Sequence, residues 1–163
     1  MVTSHTDILI IYQARLLLSY IYTITRRYKL AEFELDELVK VGFESAQVYS
    51  ILSYVSYAQK NTDRSLEYLE KALDLEPENP NILNSRGYIG AETGEDIEDA
   101  LVYCKKAVRM KNDHPAYLDS LGWAYYKAGK LEEARVYLKR AYALSSNNKI
   151  IAHHLKIVIE HDS

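Results

Sequence analysis

The side chains that carry most enzyme chemistry are scattered in this chain. His153 and His154 are adjacent, so on a helix they point about 100° apart and do not readily share a metal. His161 follows seven and eight residues on, and His5 and His114 are remote in sequence. There is no His-x-x-x-His pair, and Cys104 is the only cysteine, which excludes an intramolecular disulfide and a Cys-based metal cage. Gly87, Gly90 and Gly94 have no strand before them and no Gly-Lys-Ser/Thr after them, so they do not form a phosphate loop. Glu95, Asp96, Glu98 and Asp99 cluster at a helix start, where acidic groups complement the helix dipole. No Ser-His-Asp or Cys-His arrangement emerges from the spacing. The expectation is a non-enzyme with no metal and no cofactor.

Recognition chemistry is better represented. Tyrosine dominates the aromatics, with 15 Tyr against 2 Phe and 1 Trp, and pairs an apolar ring with a hydrogen-bonding tip. Tyr20, Tyr54, Tyr88 and Trp123 recur at intervals of 34, 34 and 35 residues. One helical turn further on stand Thr23, Tyr57, Ala91 and Tyr126. Gln47, Ser50, Asn81, Asn84 and Asp119 border that ladder. Rigid aromatics beside adaptable amides suit a groove that holds an extended or helical peptide. A net charge of -3 with no basic tract gives no footprint for nucleic acid.

The interval itself defines the elements. From Tyr12 the chain divides into repeats at 12–45, 46–79, 80–114 and 115–148, and a period near 34 means stacked supersecondary units. One column is small throughout: Ser19, Ser53, Gly87, Gly122. A second, Ala31, Ser65, Ala100, Ala134, is also small, where the second helix of each pair crosses the first. A third, Leu35, Leu69, Cys104, Leu138, is the buried stripe of the second helix, and a fourth reads Leu38, Ala72, Ala107, Ala141. The extra residue of the third repeat fits the turn 95–99. Pro80 and Pro115 follow candidate caps Asn79 and His114, Pro77 ends the preceding helix, and Gly94 and Gly129 supply turns. No stretch alternates with period two for long enough to make a strand, so the class is all-α.

The apolar run 6–25 is long enough to invite a transmembrane reading. Gln13 and Arg15 lie within it, and a central Arg alone costs about 2.5–3.5 kcal/mol on insertion. It is read instead as the first helix, capped by Thr6 with Asp7 in its first turn. No charged segment followed by an apolar core and a small-residue cleavage site is visible, so no signal peptide is expected. The compartment stays open: a reducing cytoplasm and a cysteine-poor periplasm both permit this composition. Residues 149–160 form one more amphipathic helix, a cap on the last repeat. One domain over 1–163 is expected.

These columns resemble the tetratricopeptide repeat family, over 12–148 and arguably to 160. The copy containing LGWAYYKAGKLEEA (115–148) and the one ending LEYLEKALDLEPEN (46–79) match it well. The first departs with Arg26 where the family's turn has a small residue and Leu38 where it has Ala. The third departs with Arg86 and Gly90. Arg86 is read as snorkelling from the core edge, with an anion-binding role as the alternative. The last repeat and tail also look like the terminal repeats of bacterial members. The resemblance implies a right-handed α-solenoid of helix-turn-helix repeats with a C-terminal capping helix, its first helices lining a concave face. The expected ligand-facing set is Tyr20, Tyr54, Tyr57, Asn81, Asn84, Tyr88, Asp119, Trp123 and Tyr126. The plainer reading is that some of these rings pack between neighbouring first helices.

Repeats of this family that grip a C-terminal carboxylate present cations on successive first helices. The two matching frames here are Ser50, Tyr54, Ser85, Ala116, Ser120 and Leu16, Tyr20, Ile51, Asn81, Ser85. Neither holds a cation, so apolar or neutral polar ligands are expected. The implied function is a non-catalytic scaffold that binds a protein or peptide. Two alternatives stand beside it: a self-assembling protein dimerising through the apolar first helix at Ile8, Ile11 and Leu16, and the docking domain of a larger assembly.

Overall fold

A computed structural model describes residues 5–94 and 96–161, and among these every regular element is an α-helix. The helices are α1 (His5–Ile24), α2 (Tyr28–Lys40), α3 (Ala46–Ala58), α4 (Thr62–Leu75), α5 (Pro80–Thr93), α6 (Ile97–Met110), α7 (Pro115–Lys127), α8 (Leu131–Leu144) and α9 (Lys149–Glu160). The class is an all-α solenoid of helical repeats. Its helices fall into two compact units, Met1–Glu76 and Pro77–Ser163. In the first, hairpins α1–α2 and α3–α4 form, and α3 packs on both helices of the hairpin before it. In the second, hairpins α5–α6 and α7–α8 form, α7 packs on α5 and α6, and α9 packs on α8 and α7.

The four sequence columns lie in the core. All sixteen residues are buried, and the smallest of them explain why paired helices sit so close. At Gly122 an added Cβ would stand 3.1 Å from the Leu138 nitrogen and 3.2 Å from the Ala134 carbonyl oxygen. At Gly87 it would stand 2.9 Å from the Ala100 carbonyl oxygen. In the second repeat, where both columns carry serine, Ser53 and Ser65 share a buried hydrogen bond of 2.9 Å, while Ser19 donates to the Leu16 carbonyl at 2.7 Å. Arg86 lies over the Tyr103 ring at 5.2 Å, in keeping with a guanidinium at the core edge.

Each hairpin turns through one left-handed residue. These are Arg26 (φ 59°), Lys60 (φ 68°), Gly94 (φ 70°) and Gly129 (φ 74°), again one per repeat. The third turn is longer by one residue because α6 starts three positions after its glycine, where the other second helices start two after. Glu95 lies outside the described residues, and Asp96 caps α6 by accepting from the Asp99 amide at 3.3 Å.

Three details differ from expectation. α1 already begins at His5, so Thr6 falls inside it, and the side chains of Thr6 and Asp7 lie outside the described residues. His114 makes no side-chain cap: its ring stacks on Tyr117 at 4.0 Å, and its Nδ1 is buried without a hydrogen-bond partner. Leu16, expected on an open dimer face, is half-buried, because it stands one turn before the fully buried Ser19 on the stripe facing inward. Asn79, in contrast, caps α5 by accepting from Asn81 and Ile82, and Asn148 does the same for α9. No described helix is long and apolar enough to cross a membrane.

Candidate functional site

The aromatic ladder follows from the small column. Ser19 and Ser53 are buried where their helices cross, so the next residue, about 100° round the helix, turns off the hairpin. In the first unit this leaves Tyr20 56% and Tyr54 54% exposed. The two rings line one cleft of about 540 Å³ with Thr23, Ile24, Arg26, Tyr28, Ser50 and Ile51, a size within the ordinary range for ligand sites. Its small hydroxyls are tied back to their own helices: Thr23 donates to the Ser19 carbonyl at 2.7 Å and Ser50 to the Ala46 carbonyl at 2.7 Å. The lining is therefore effectively aromatic and aliphatic. Among the described lining residues Arg26 is the cation, exposed and held there by the left-handed turn. It stands outside both carboxylate-gripping frames, which covered helical positions only. Tyr57, one turn beyond Tyr54, is half-buried.

The second unit treats the same column differently. Tyr88 is half-buried, and Trp123 is only 8% exposed. The Trp123 ring is stacked on His154 of α9, with centroids 4.1 Å apart and planes 14° apart, and on Tyr126 at 5.0 Å. Its Nε1 donates to Glu92 Oε1. Lys127 stands 5.4 Å from the Trp123 ring and 3.6 Å from that same carboxylate. Trp123 is thus an internal neighbour of α9 and not an open ligand face. Asp119, expected at the groove's border, is also buried, and both its oxygens lie 3.0 Å from His154 Nδ1. Tyr126 is half-buried with His161 edge-on at 5.7 Å. Asn81 is exposed and accepts from the Tyr117 hydroxyl. Asn84 is half-buried, and its Oδ1 is shielded from water with no hydrogen-bond partner.

His154 and Glu92 are the residues that reading the sequence missed. His154 is buried at the centre of this cluster, while His153 beside it is exposed. A signal existed. Asn148 caps α9 as Asn79 caps α5, which marks α9 as a further first helix. In that frame Asp119 reaches one position past its own column in the next first helix, and that position is His154. Burial pushes the Cys104 thiol up to about 12, so this lone cysteine behaves as a core residue and not a nucleophile. Among the described residues no group of three or more His, Cys, Asp or Glu converges on a point.

With this geometry in hand, comparison with known proteins is direct. Tetratricopeptide repeat profiles match residues 52–115 and 115–148, together more than half of the chain. The chain belongs to the tetratricopeptide repeat family. A TPR repeat-containing protein of Pseudomonas aeruginosa is 36% identical over 100 residues, which is 59% of this chain and 17% of that protein. The chain thus spans about a sixth of the length of such a relative. Two solved tetratricopeptide structures share the fold at 19% identity. PilF of Pseudomonas aeruginosa has a TM-score of 0.79, covering 93% of this chain and 69% of that one. YrrB, described as a tetratricopeptide protein with an unusual peptide-binding site, has a TM-score of 0.73 over 85% of this chain and 71% of its own. Tetratricopeptide repeats are in general protein-interaction scaffolds, and the matches support a protein-interaction module here.

Proposed function

We propose that this tetratricopeptide chain is a non-catalytic module that binds a segment of a partner protein through the first helices of its repeats. The binding surface is the cleft between Tyr20 and Tyr54. The observation that carries the reading is the pair of tyrosines, each more than half exposed, over one cleft of about 540 Å³. Large rings of low conformational entropy are the groups that anchor interfaces. An aliphatic or aromatic side chain of the ligand sits between the rings, and Arg26 at the rim takes a ligand carboxylate. YrrB's description as a peptide-binding protein is consistent with this use of the fold.

The test is selection of a displayed random-peptide library on the immobilised chain, followed by affinity measurement on purified peptides. Enriched peptides carrying an aromatic or aliphatic anchor should lose at least tenfold in affinity on the Tyr20→Ala/Tyr54→Ala variant, with helicity and melting temperature unchanged. Equal binding by wild type and variant would overturn the assignment of this cleft.

A further inference from the structure

The cluster around Trp123 is what this repeat builds when the chain itself supplies a partner for the aromatic column. Two flat rings lie against the indole, His154 with centroids 4.1 Å apart and Tyr126 at 5.0 Å. Carboxylates serve the polar atoms: Glu92 accepts from the indole N–H, and Asp119 lies 3.0 Å from His154 Nδ1. Every member of the cluster belongs to a first helix, so each has a counterpart at the same register in α1 or α3.

Helix caps and the aromatic column fix those counterparts. His154 stands six residues after its cap Asn148 and 31 after Trp123, and Ile51 stands six after its cap Ser45 and 31 after Tyr20. Glu92 stands four residues after Tyr88, in the first helix preceding that of Trp123. Ile24 stands four after Tyr20, in the first helix preceding that of Tyr54. By the same register Thr23 answers to Tyr126 and Leu16 to Asp119. Thr23, Ile24 and Ile51 all line the cleft with Tyr20 and Tyr54.

Ile51 and Thr23 bring no ring where His154 and Tyr126 do, which leaves the column's own rings uncovered in the first unit. Ile24, 63% exposed, puts an aliphatic wall where Glu92 puts a carboxylate, and Leu16 is half-buried where Asp119 holds His154. What the first unit lacks is a ring, together with the polar groups that would serve a polar ring. A ring entering the cleft meets aromatic faces, and stacking adds to what burial of its surface supplies. Among the described lining residues it meets no carboxylate, so an indole or imidazole N–H gives up water without a charged acceptor. A cationic anchor also meets Arg26 with like sign. Phenylalanine is the side chain with a ring, no polar atom and no charge.

We infer that the Tyr20–Tyr54 cleft selects a phenylalanine of the bound segment, and that Ile24 and Ile51 determine this choice. The inference rests on the peptide-binding reading above and adds the identity of the anchor.

Peptides from the library selection, synthesised with Phe, Leu, Trp or His at the anchor position, read the preference by fluorescence anisotropy on the whole chain. Phe should bind about threefold or more tightly than Leu, and about tenfold or more tightly than His. Ile24→Glu changes an exposed residue and supplies the acceptor that Glu92 supplies to Trp123. It should raise the affinity of Trp peptides relative to Phe peptides by about tenfold. Ile51→His should lay a ring on Tyr20 as His154 lies on Trp123, and weaken every Phe peptide by about tenfold with helicity unchanged. Should Ile51→His lose helicity, Ile24→Glu decides alone. Peptides that need Tyr20 and Tyr54 yet bind equally well with Leu or His at the anchor would overturn this inference while leaving the binding site in place. So would a Phe-to-Trp ratio that Ile24→Glu does not move. Peptides indifferent to Tyr20→Ala/Tyr54→Ala would remove the site, and this inference with it.

Discussion

Tyr54 and Trp123 occupy the same column of the repeat and leave their helices in the same direction, yet one is 54% exposed and the other 8%. The difference is α9. In the second unit a further first helix brings His154 flat against the indole, and Glu92 and Asp119 satisfy the polar atoms that burial would otherwise strand. Among the described residues of the first unit none stands over Tyr20 and Tyr54, which are 56% and 54% exposed. A repeat column therefore sets where a side chain points and leaves open whether anything covers it. The turns divide along the same line: the left-handed residue is Arg26 and Lys60 in the first unit, Gly94 and Gly129 in the second.

The most decisive way to break this contrast is to remove the two rings separately. Trp123→Ala should cost about 3–5 kcal/mol in chemical denaturation, as for a large aromatic taken from a core. Tyr54→Ala should cost less than about 1 kcal/mol, as for an exposed site. Equal losses would mean that the column has one role in both units. A smaller effect is expected from Asp119→Ala, which deprives the buried His154 Nδ1 of its acceptor and should cost about 1–3 kcal/mol. Hydrogen exchange should accelerate first across α9, and uniform acceleration through the second unit would show that α9 is not a separable cover.

Cys104 allows the two units to be compared without disturbing either site. Its thiol, shielded and pushed up to about 12 by burial, should react with a thiol reagent at mildly alkaline pH only on unfolding. Leu69→Cys places a thiol at the equivalent buried position of the first unit. The ratio of the two labelling rates then reports the opening free energy of one unit against the other, and immediate labelling of Cys104 in the native chain would contradict its burial. The smallest effects are at the turns. Arg26→Gly and Lys60→Gly should each stabilise by about 0.5–1 kcal/mol, since glycine adopts φ > 0 without strain. Gly94→Ala and Gly129→Ala should each lose about 1 kcal/mol, read as shifts in melting temperature. A gain at Arg26→Gly accompanied by weaker binding of acidic peptides would separate the two roles given to that arginine.

Most of the fold was legible in the residues. The sixteen column positions, the boundaries of the C-terminal helix, the one-residue insertion after Gly94 and the cap at Asn79 all depend on neighbours within one repeat, where spacing along the chain determines spacing in the structure. The candidate site was legible only as a direction. That Tyr20 and Tyr54 leave the hairpin follows from standing next to Ser19 and Ser53, and this needs nothing beyond helix geometry. That Trp123 and Asp119 are closed off depends on His154, 31 and 35 residues away, in a helix whose amphipathic pattern announces a cap without saying which of its residues meets what. Sequence alone determined the repeat, its small-residue crossings and the aromatic ladder, because helix formation and close crossing are local demands on residue size. Tertiary structure decided which rungs of that ladder stay open, because coverage is a property of where another helix ends up and not of the residue that it covers.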